Sequence, residues 1–239
     1  MQARNLIEPP PSCDAAAWDR VWSRHPYRHA EVHAERARIK VGAAVEMGLR
    51  FKESDRVLDL ACGSGQTLIE AAHRASGNAR FVGLDISDVA LGLARANFKR
   101  AGVRVKPVRA EWLRLPFRDG AFDKVIAFMA PFPSVIREID RVLAPGGKLF
   151  MVALSRDSIS SALYRLLESI VPGPFDDRRN YSARDLISEL GATMTVEEWR
   201  ILHSGSDRPI SRTLDRAIGQ CVPRWGRYVA VRCAKSAAR

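Results

Sequence analysis

The stretch RVLDLACGSGQTLIEAA, Arg56–Ala72, decides the fold. Val57–Leu60 is a short apolar run that reads as a strand. Gly63-Ser64-Gly65 breaks the run, and Gln66–Ala75 reads as a helix. A strand end, a tight glycine turn and a helix N-terminus together cradle a nucleotide-like ligand. Glycine lets the backbone come close, and the free N–H groups of the helix favour negative charge. The same turn also fits a plain strand-to-helix connection. Leu68 stands where the third glycine of G-x-G-x-x-G would be, and no Gly-Lys-Ser/Thr follows. This argues against a simple dinucleotide fingerprint and against a phosphate loop for ATP hydrolysis.

Outward from this junction the pattern alternates. Phe81–Leu84, Val103–Val108, Lys124–Phe128 and Lys148–Leu154 read as strands. Val89–Lys99 and Ser134–Leu143 read as the helices among them. Short strands that are mostly continuous in apolar residues are expected where both faces are covered, and strand–helix alternation implies a parallel sheet with right-handed crossovers. An insertion over 155–181 carries a helix near Ile159–Val171, and Ala183–Leu190 reads as another helix. Thr193–Ile201 and Tyr228–Cys233 are strands with no clear helix between them, which predicts an antiparallel finish. Before the sheet, Asp14 can cap a helix carrying Trp18 and Trp22, which Pro26 ends. A second helix spans Ala30–Leu49. The chain thus divides into a helical cap, 1–50, and an α/β domain, 51–239.

The 239 residues carry a net charge of +11. That suits an anionic partner, whether RNA, a phospholipid surface or a phosphorylated substrate, and equally a solvated basic face. From Arg200 to Arg239 there are nine Lys/Arg against two Asp/Glu. Cys13, Cys62, Cys221 and Cys233 show no C-x-x-C spacing, which points away from a zinc knuckle or a redox pair, and no metal is expected. No apolar signal core or run of 18 apolar residues occurs. A cytoplasmic protein without a transmembrane segment is the expectation, with peripheral membrane contact left open.

Two further strand ends carry chemistry. Asp85 closes FVGLDIS, 20 residues after Gly65. A carboxylate there can take both hydroxyls of a ribose, or it can cap the next helix. In RAEWLRLPFRDGAFDKV, Glu111 can accept from an adenine amino group, and Trp112 can lie along the ring or simply pack.

At these residues the chain resembles the class I S-adenosylmethionine-dependent methyltransferases of the methyltransferase type 11 group. VLDLACGSG resembles their first motif, GLDIS the second, LPFRDGAFDKV the segment before strand four and RVLAPGG the turn before strand five. RYVAVRCAK resembles their last, antiparallel strand. The resemblance implies a Rossmann-like fold: a mostly parallel seven-stranded sheet, helices on both faces and an antiparallel last strand. It implies S-adenosylmethionine as cofactor. Asp59, Ala61, Gly63 and Gly65 would line its methionine part, Asp85 would hold the ribose, and Ile86 would pack on adenine. Glu111 and the backbone at Trp112 would read the adenine edge, and Phe128 and Met129 would face the sulfonium. Ala61 replaces the first glycine of the commoner D-x-G-x-G-x-G, and Glu111 stands where Asp is usual.

The acceptor is expected to be a small molecule: a sugar, a lipid-linked compound or a secondary metabolite. An RNA acceptor is the alternative the charge favours. A cofactor-binding scaffold, or sulfonium chemistry other than methyl transfer, is a third reading. A hydroxyl acceptor would need a base. His25, His29, His33 and His203 are candidates, with His25 preferred because it lies beside Trp18, Trp22 and Tyr27, an aromatic group that can form a lid over the substrate or staple the first helix to the sheet. Phe132, Tyr164, Phe175 and Tyr181 offer further apolar surface. The central motifs resemble quinone-ring C-methyltransferases, but the longer signature of those enzymes is missing, so that substrate does not follow from the sequence.

Overall fold

The computed structural model describes residues 15–24, 30–128, 135–155, 181–202 and 228–236. Strand β1, Arg56–Leu60, lies at the centre of the sheet, with β2 (Arg80–Asp85) on one side and β4 (Phe122–Phe128) on the other, all parallel. Strand β3, Val105–Arg109, extends the sheet beyond β2, and β5, Leu143–Leu154, extends it beyond β4. The last strand, β7 (Tyr228–Ala234), runs antiparallel between β5 and the edge strand β6 (Thr195–Leu202). The order is β3-β2-β1-β4-β5-β7-β6, a seven-stranded sheet among the described residues. The expected mostly parallel sheet with an antiparallel last strand is therefore what the chain forms.

The helices are α1 (Ala15–Arg24), α2 (Ala30–Glu46), α3 (Gln66–Arg74), α4 (Asp88–Ala101), α5 (Ile136–Val142) and α6 (Ala183–Gly191). They sandwich the sheet. On one face Val41, Met47 and Leu49, from α2 and its C-terminal turn, join Leu68 of α3 and Leu91 and Phe98 of α4 over Val57, Ile126 and Phe150. On the other, Ile136 and Ile139 of α5 and Leu186 and Leu190 of α6 cover Leu58, Val125, Leu149 and Val231. Helices cover both faces of the central strands, which is why those strands are mostly apolar in sequence. α1 leaves this sandwich and packs on α4.

Element ends differ from the sequence reading where local chemistry stops them. α2 ends at Glu46 because Gly48 takes a left-handed φ of 92° and Leu49 N bonds back to Ala44 O. β5 begins at Leu143, pairs with Phe122, then steps out through Pro145-Gly146-Gly147 before pairing resumes at Lys148. The Pro-Gly-Gly turn is thus a bulge within the strand. Ser155 and Tyr181, at the two ends of the expected insertion, form a parallel bridge; its helix lies outside the described residues.

Candidate cofactor-binding site

The site lies at the C-terminal ends of β1, β2 and β3, where doubly wound sheets bind their ligands. Asp59, on β1, shares a sheet face with Val57 but is 2% exposed, a carboxylate within an apolar layer. Its Oδ2 has no hydrogen-bond partner among the described residues. Burial pushes its pKa well up from 3.8, and the Asp85 charge pushes it further, while Lys40 on α2 pulls it down.

The turn after β1 is built by backbone geometry. Ala61 takes φ 57°, Gly63 φ 53° and Gly65 φ 81°. Cys62 N donates to Leu84 O at 2.9 Å, tying the turn to β2. The Cys62 thiol is buried beside it, and burial raises its pKa. Gly65 is required for packing as well as for φ: a Cβ there would collide with the Phe98 ring of α4. At Gly63 a Cβ would stand 2.7 Å from Cζ2 of Trp22, so the α1 indole lies against the open face of the turn.

Asp85 ends β2, buried. Its Oδ2 accepts from Gly63 N at 2.8 Å and its Oδ1 from Ser87 N at 3.0 Å. Burial raises its pKa and these N–H groups draw it partly back. Asp85 does not cap α4. Ser87 does, accepting from Ala90 N at 3.1 Å, which leaves the Asp85 carboxylate to the pocket.

Ile86 follows, buried, and its carbonyl accepts from Arg109 Nε at 3.3 Å. Glu111 is exposed in the turn after β3. Trp112 packs into the α5–α6 side of the core. Phe128 ends β4, buried with Phe150 and Val152 on the other face. Met129, His25 and Tyr27 lie outside the described residues, as do His29, His203, Phe132, Tyr164 and Phe175. Trp18 is half-buried on α1.

One residue at the site, Asp19, escaped the sequence reading. Asp19 of α1 accepts from Ser87 Oγ at 2.6 Å and from Val89 N at 3.2 Å, and these bonds lower its pKa. Nothing in the sequence links positions so far apart. His33, one of several candidate histidines, has its ring 6.5 Å from that of Trp22. Among the described residues no cluster of three His, Cys, Asp or Glu could hold a metal, and no helix is long and apolar enough to cross a membrane.

Two buried carboxylates, one with an orphaned oxygen, make an electronegative cradle. They fit a ligand that brings cationic and hydroxyl donors to the turn, as S-adenosylmethionine does with its α-ammonium, sulfonium and ribose.

A family model described as a methyltransferase domain matches residues 57–147. A demethylmenaquinone methyltransferase of Thermus thermophilus is 41% identical over 114 residues, 46% of this chain and 51% of that protein. An uncharacterized methyltransferase of Synechocystis is 34% identical over 153 residues, 58% of this chain and 68% of that protein. The match to the first of these spans about half the relative's length. Among solved structures, the chain superposes with a TM-score of 0.70 on one described as a complex between the Haloferax volcanii Trm112 methyltransferase activator and a methyltransferase. That match is 19% identical and covers 94% of this chain and 98% of the other.

Proposed function

The chain belongs to the class I S-adenosylmethionine-dependent methyltransferases, and from that premise we propose that it transfers a methyl group to a small-molecule acceptor, with a quinone-like ring as the first class to test. The observation that carries the cofactor reading is the buried Asp85 carboxylate bonded to Gly63 N beside the orphaned Oδ2 of Asp59. The acceptor class is supported by the demethylmenaquinone methyltransferase among the relatives and by the aromatic cap, where Trp22 lies against the glycine turn and His33 has its ring 6.5 Å from that of Trp22.

When bound, S-adenosylmethionine supplies a methyl group activated by its sulfonium. The chain supplies the rest. Asp59 Oδ2 would pair with the α-ammonium, and Asp85 would use its remaining lone pairs on the ribose hydroxyls. Ile86 would pack on adenine while Glu111 and the Trp112 backbone read its edge. Ala61, Gly63 and Gly65 would shape the methionine end, with Phe128 and Met129 at the sulfonium. Trp22 would exclude water from above. A proton released by a hydroxyl acceptor needs a base. His25 is proposed for it, and His33, whose ring lies 6.5 Å from that of Trp22, is the second candidate.

Calorimetric titration with S-adenosylmethionine and S-adenosylhomocysteine tests the cofactor reading. Both should bind, and Asp85→Ala should weaken binding by roughly 2–3 kcal/mol. No binding of either by the parent, or an unchanged affinity in the variant, overturns the assignment. Incorporation of labelled methyl into a short-chain demethylmenaquinone tests the acceptor. Comparing His25→Ala with His33→Ala at saturating cofactor identifies the base: its loss should slow turnover far more than it weakens cofactor binding.

A further inference from the structure

The cap helix and the cofactor cradle are joined by a closed circuit of contacts. Asp19 Oδ1 accepts from Ser87 Oγ and Val89 N. Ser87 N donates to Asp85 Oδ1, and Asp85 Oδ2 accepts from Gly63 N. Gly63 turns its open face to Trp22. Trp22 lies three residues beyond Asp19 on α1, on the same side of the helix. The circuit therefore leaves α1 at one residue and returns to it one turn later, enclosing the two positions where the cofactor's ribose and methionine end are proposed to sit.

We propose that Asp19 is a positioning residue: a latch that seats α1 over the cofactor cradle and couples this closure, through Ser87, to the Asp85 carboxylate. The inference rests on the cofactor reading above.

α1 has 10 residues, too few to be stable alone in water, so docking decides where it lies. Asp19 supplies a docking contact of the stronger kind, with a charged acceptor. It approaches the first turn of α4, where the helix end attracts negative charge. Arg109 adds positive charge at the same corner, holding Ile86 O and pairing with Asp88 at 3.0 Å. Trp22 gives the latch a consequence. Its ring stands where a ligand touching Gly63 from the open side would arrive, so loading and release require α1 to shift. A ligand whose ribose engages Asp85 acts on a carboxylate already bonded to Ser87, the residue that holds Asp19. Occupancy and closure then favour each other.

Stopped-flow release of S-adenosylhomocysteine, chased by excess S-adenosylmethionine, tests this. Asp19→Ala should release the ligand about tenfold faster, within the usual range of coupling between sites. Asp19→Asn keeps an acceptor oxygen and should stay within about threefold of the parent. Adding Trp22→Ala to Asp19→Ala should produce little further acceleration, because both changes free the same helix. Amide exchange in α1 should slow when S-adenosylhomocysteine binds the parent, but not in Asp19→Ala. Release at the parent rate, or additive acceleration in the double variant, overturns the latch. Should Asp19→Ala fail to fold, Trp22→Ala alone decides: release at the parent rate in it sinks the proposal. A parent that does not bind S-adenosylhomocysteine overturns the cofactor reading itself, and the latch with it, a result distinct from binding with unchanged release.

Discussion

Asp59 shows what a site residue costs its fold. It is buried among apolar neighbours with one oxygen unpaired, and its proton affinity is raised chiefly by burial. The folded chain thus binds a proton that the unfolded chain gives up near the usual carboxylate pKa. Stability from this group is present at low pH and declines as pH rises from about 3.8 towards the raised folded value. Asp59→Asn removes that cost, and the variant should be more stable near neutrality by about 1 kcal/mol in urea unfolding. It should also bind cofactor more weakly, and lose the gain in affinity with rising pH expected when an ammonium pairs with an ionising carboxylate. A variant that is both less stable and unchanged in binding would remove Asp59 from the site. Ala61 tells a related story. The sequence alone makes it a mild replacement for glycine, but its φ of 57° lies in the left-handed region. Strain there is about 1–2 kcal/mol, against roughly 0.5–1 for the entropy glycine adds. Ala61→Gly should therefore raise stability by about 0.5–1 kcal/mol, measurable as a shift of the urea midpoint at constant slope.

At the scale of elements, the first four strands and the helices between them were legible because apolar runs and glycine breaks mark them locally. The site was legible only in part. Gly63 and Asp85 mark themselves in sequence at a glycine turn and a strand end, and Asp59 enters only through the family resemblance, whereas Asp19 works through contacts 68 and 70 residues away. Arg141 is another such residue, ordinary in sequence and central in the fold. From α5 its Nη1 donates to Phe117 O at 2.7 Å and to Asp119 Oδ1 at 2.8 Å. Its Nη2 donates to Leu115 O at 3.0 Å and to Glu138 Oε2 at 2.7 Å, and its Nε to Glu138 Oε1. Glu138 Oε2 in turn accepts from Leu115 N at 2.7 Å. One guanidinium thus pins the segment that follows Glu111 and Trp112. Lysine has one ammonium, and its donors cannot span these acceptors. Arg141→Lys should cost about 2 kcal/mol and speed amide exchange at Leu115 and Gly120 ahead of the sheet. Exchange that rises uniformly across the molecule would mean the clamp is not local.

For the whole molecule, the +11 charge has to be weighed against its ion pairs. Several acids are already used: Asp123 by Arg56 at 2.8 Å, Glu197 by Lys148 at 2.8 Å, Glu138 and Asp119 by Arg141. Partly exposed pairs of this kind contribute only about 0–1 kcal/mol each. Against them stands an edge where basic residues outnumber acids, with Asp88 paired to Arg109 at 3.0 Å. Between Val89 and Ala110 the chain carries Arg95, Lys99, Arg100, Arg104, Lys106 and Arg109 and no Asp or Glu. All six are exposed, on α4, on the edge strand β3 and, for Arg104, on the turn between them. Salt weakens both attraction and repulsion, but an excess of one sign leaves repulsion the larger effect. Raising NaCl from about 20 to about 300 mM should therefore raise Tm by a few degrees, the shift that about 1 kcal/mol produces in a chain of this size. The cradle carboxylates are buried, so affinity for S-adenosylhomocysteine should change little over the same range. The same titration bears on the RNA reading. Retention on RNA that falls steeply with salt and survives at physiological strength would make the basic edge a docking face. Retention lost well below that strength, with Tm rising, would leave the charge as a solubilising surface and the acceptor as a small molecule. A falling Tm would show instead that the ion pairs dominate the surface, and the balance argued from Arg95 to Arg109 would be wrong.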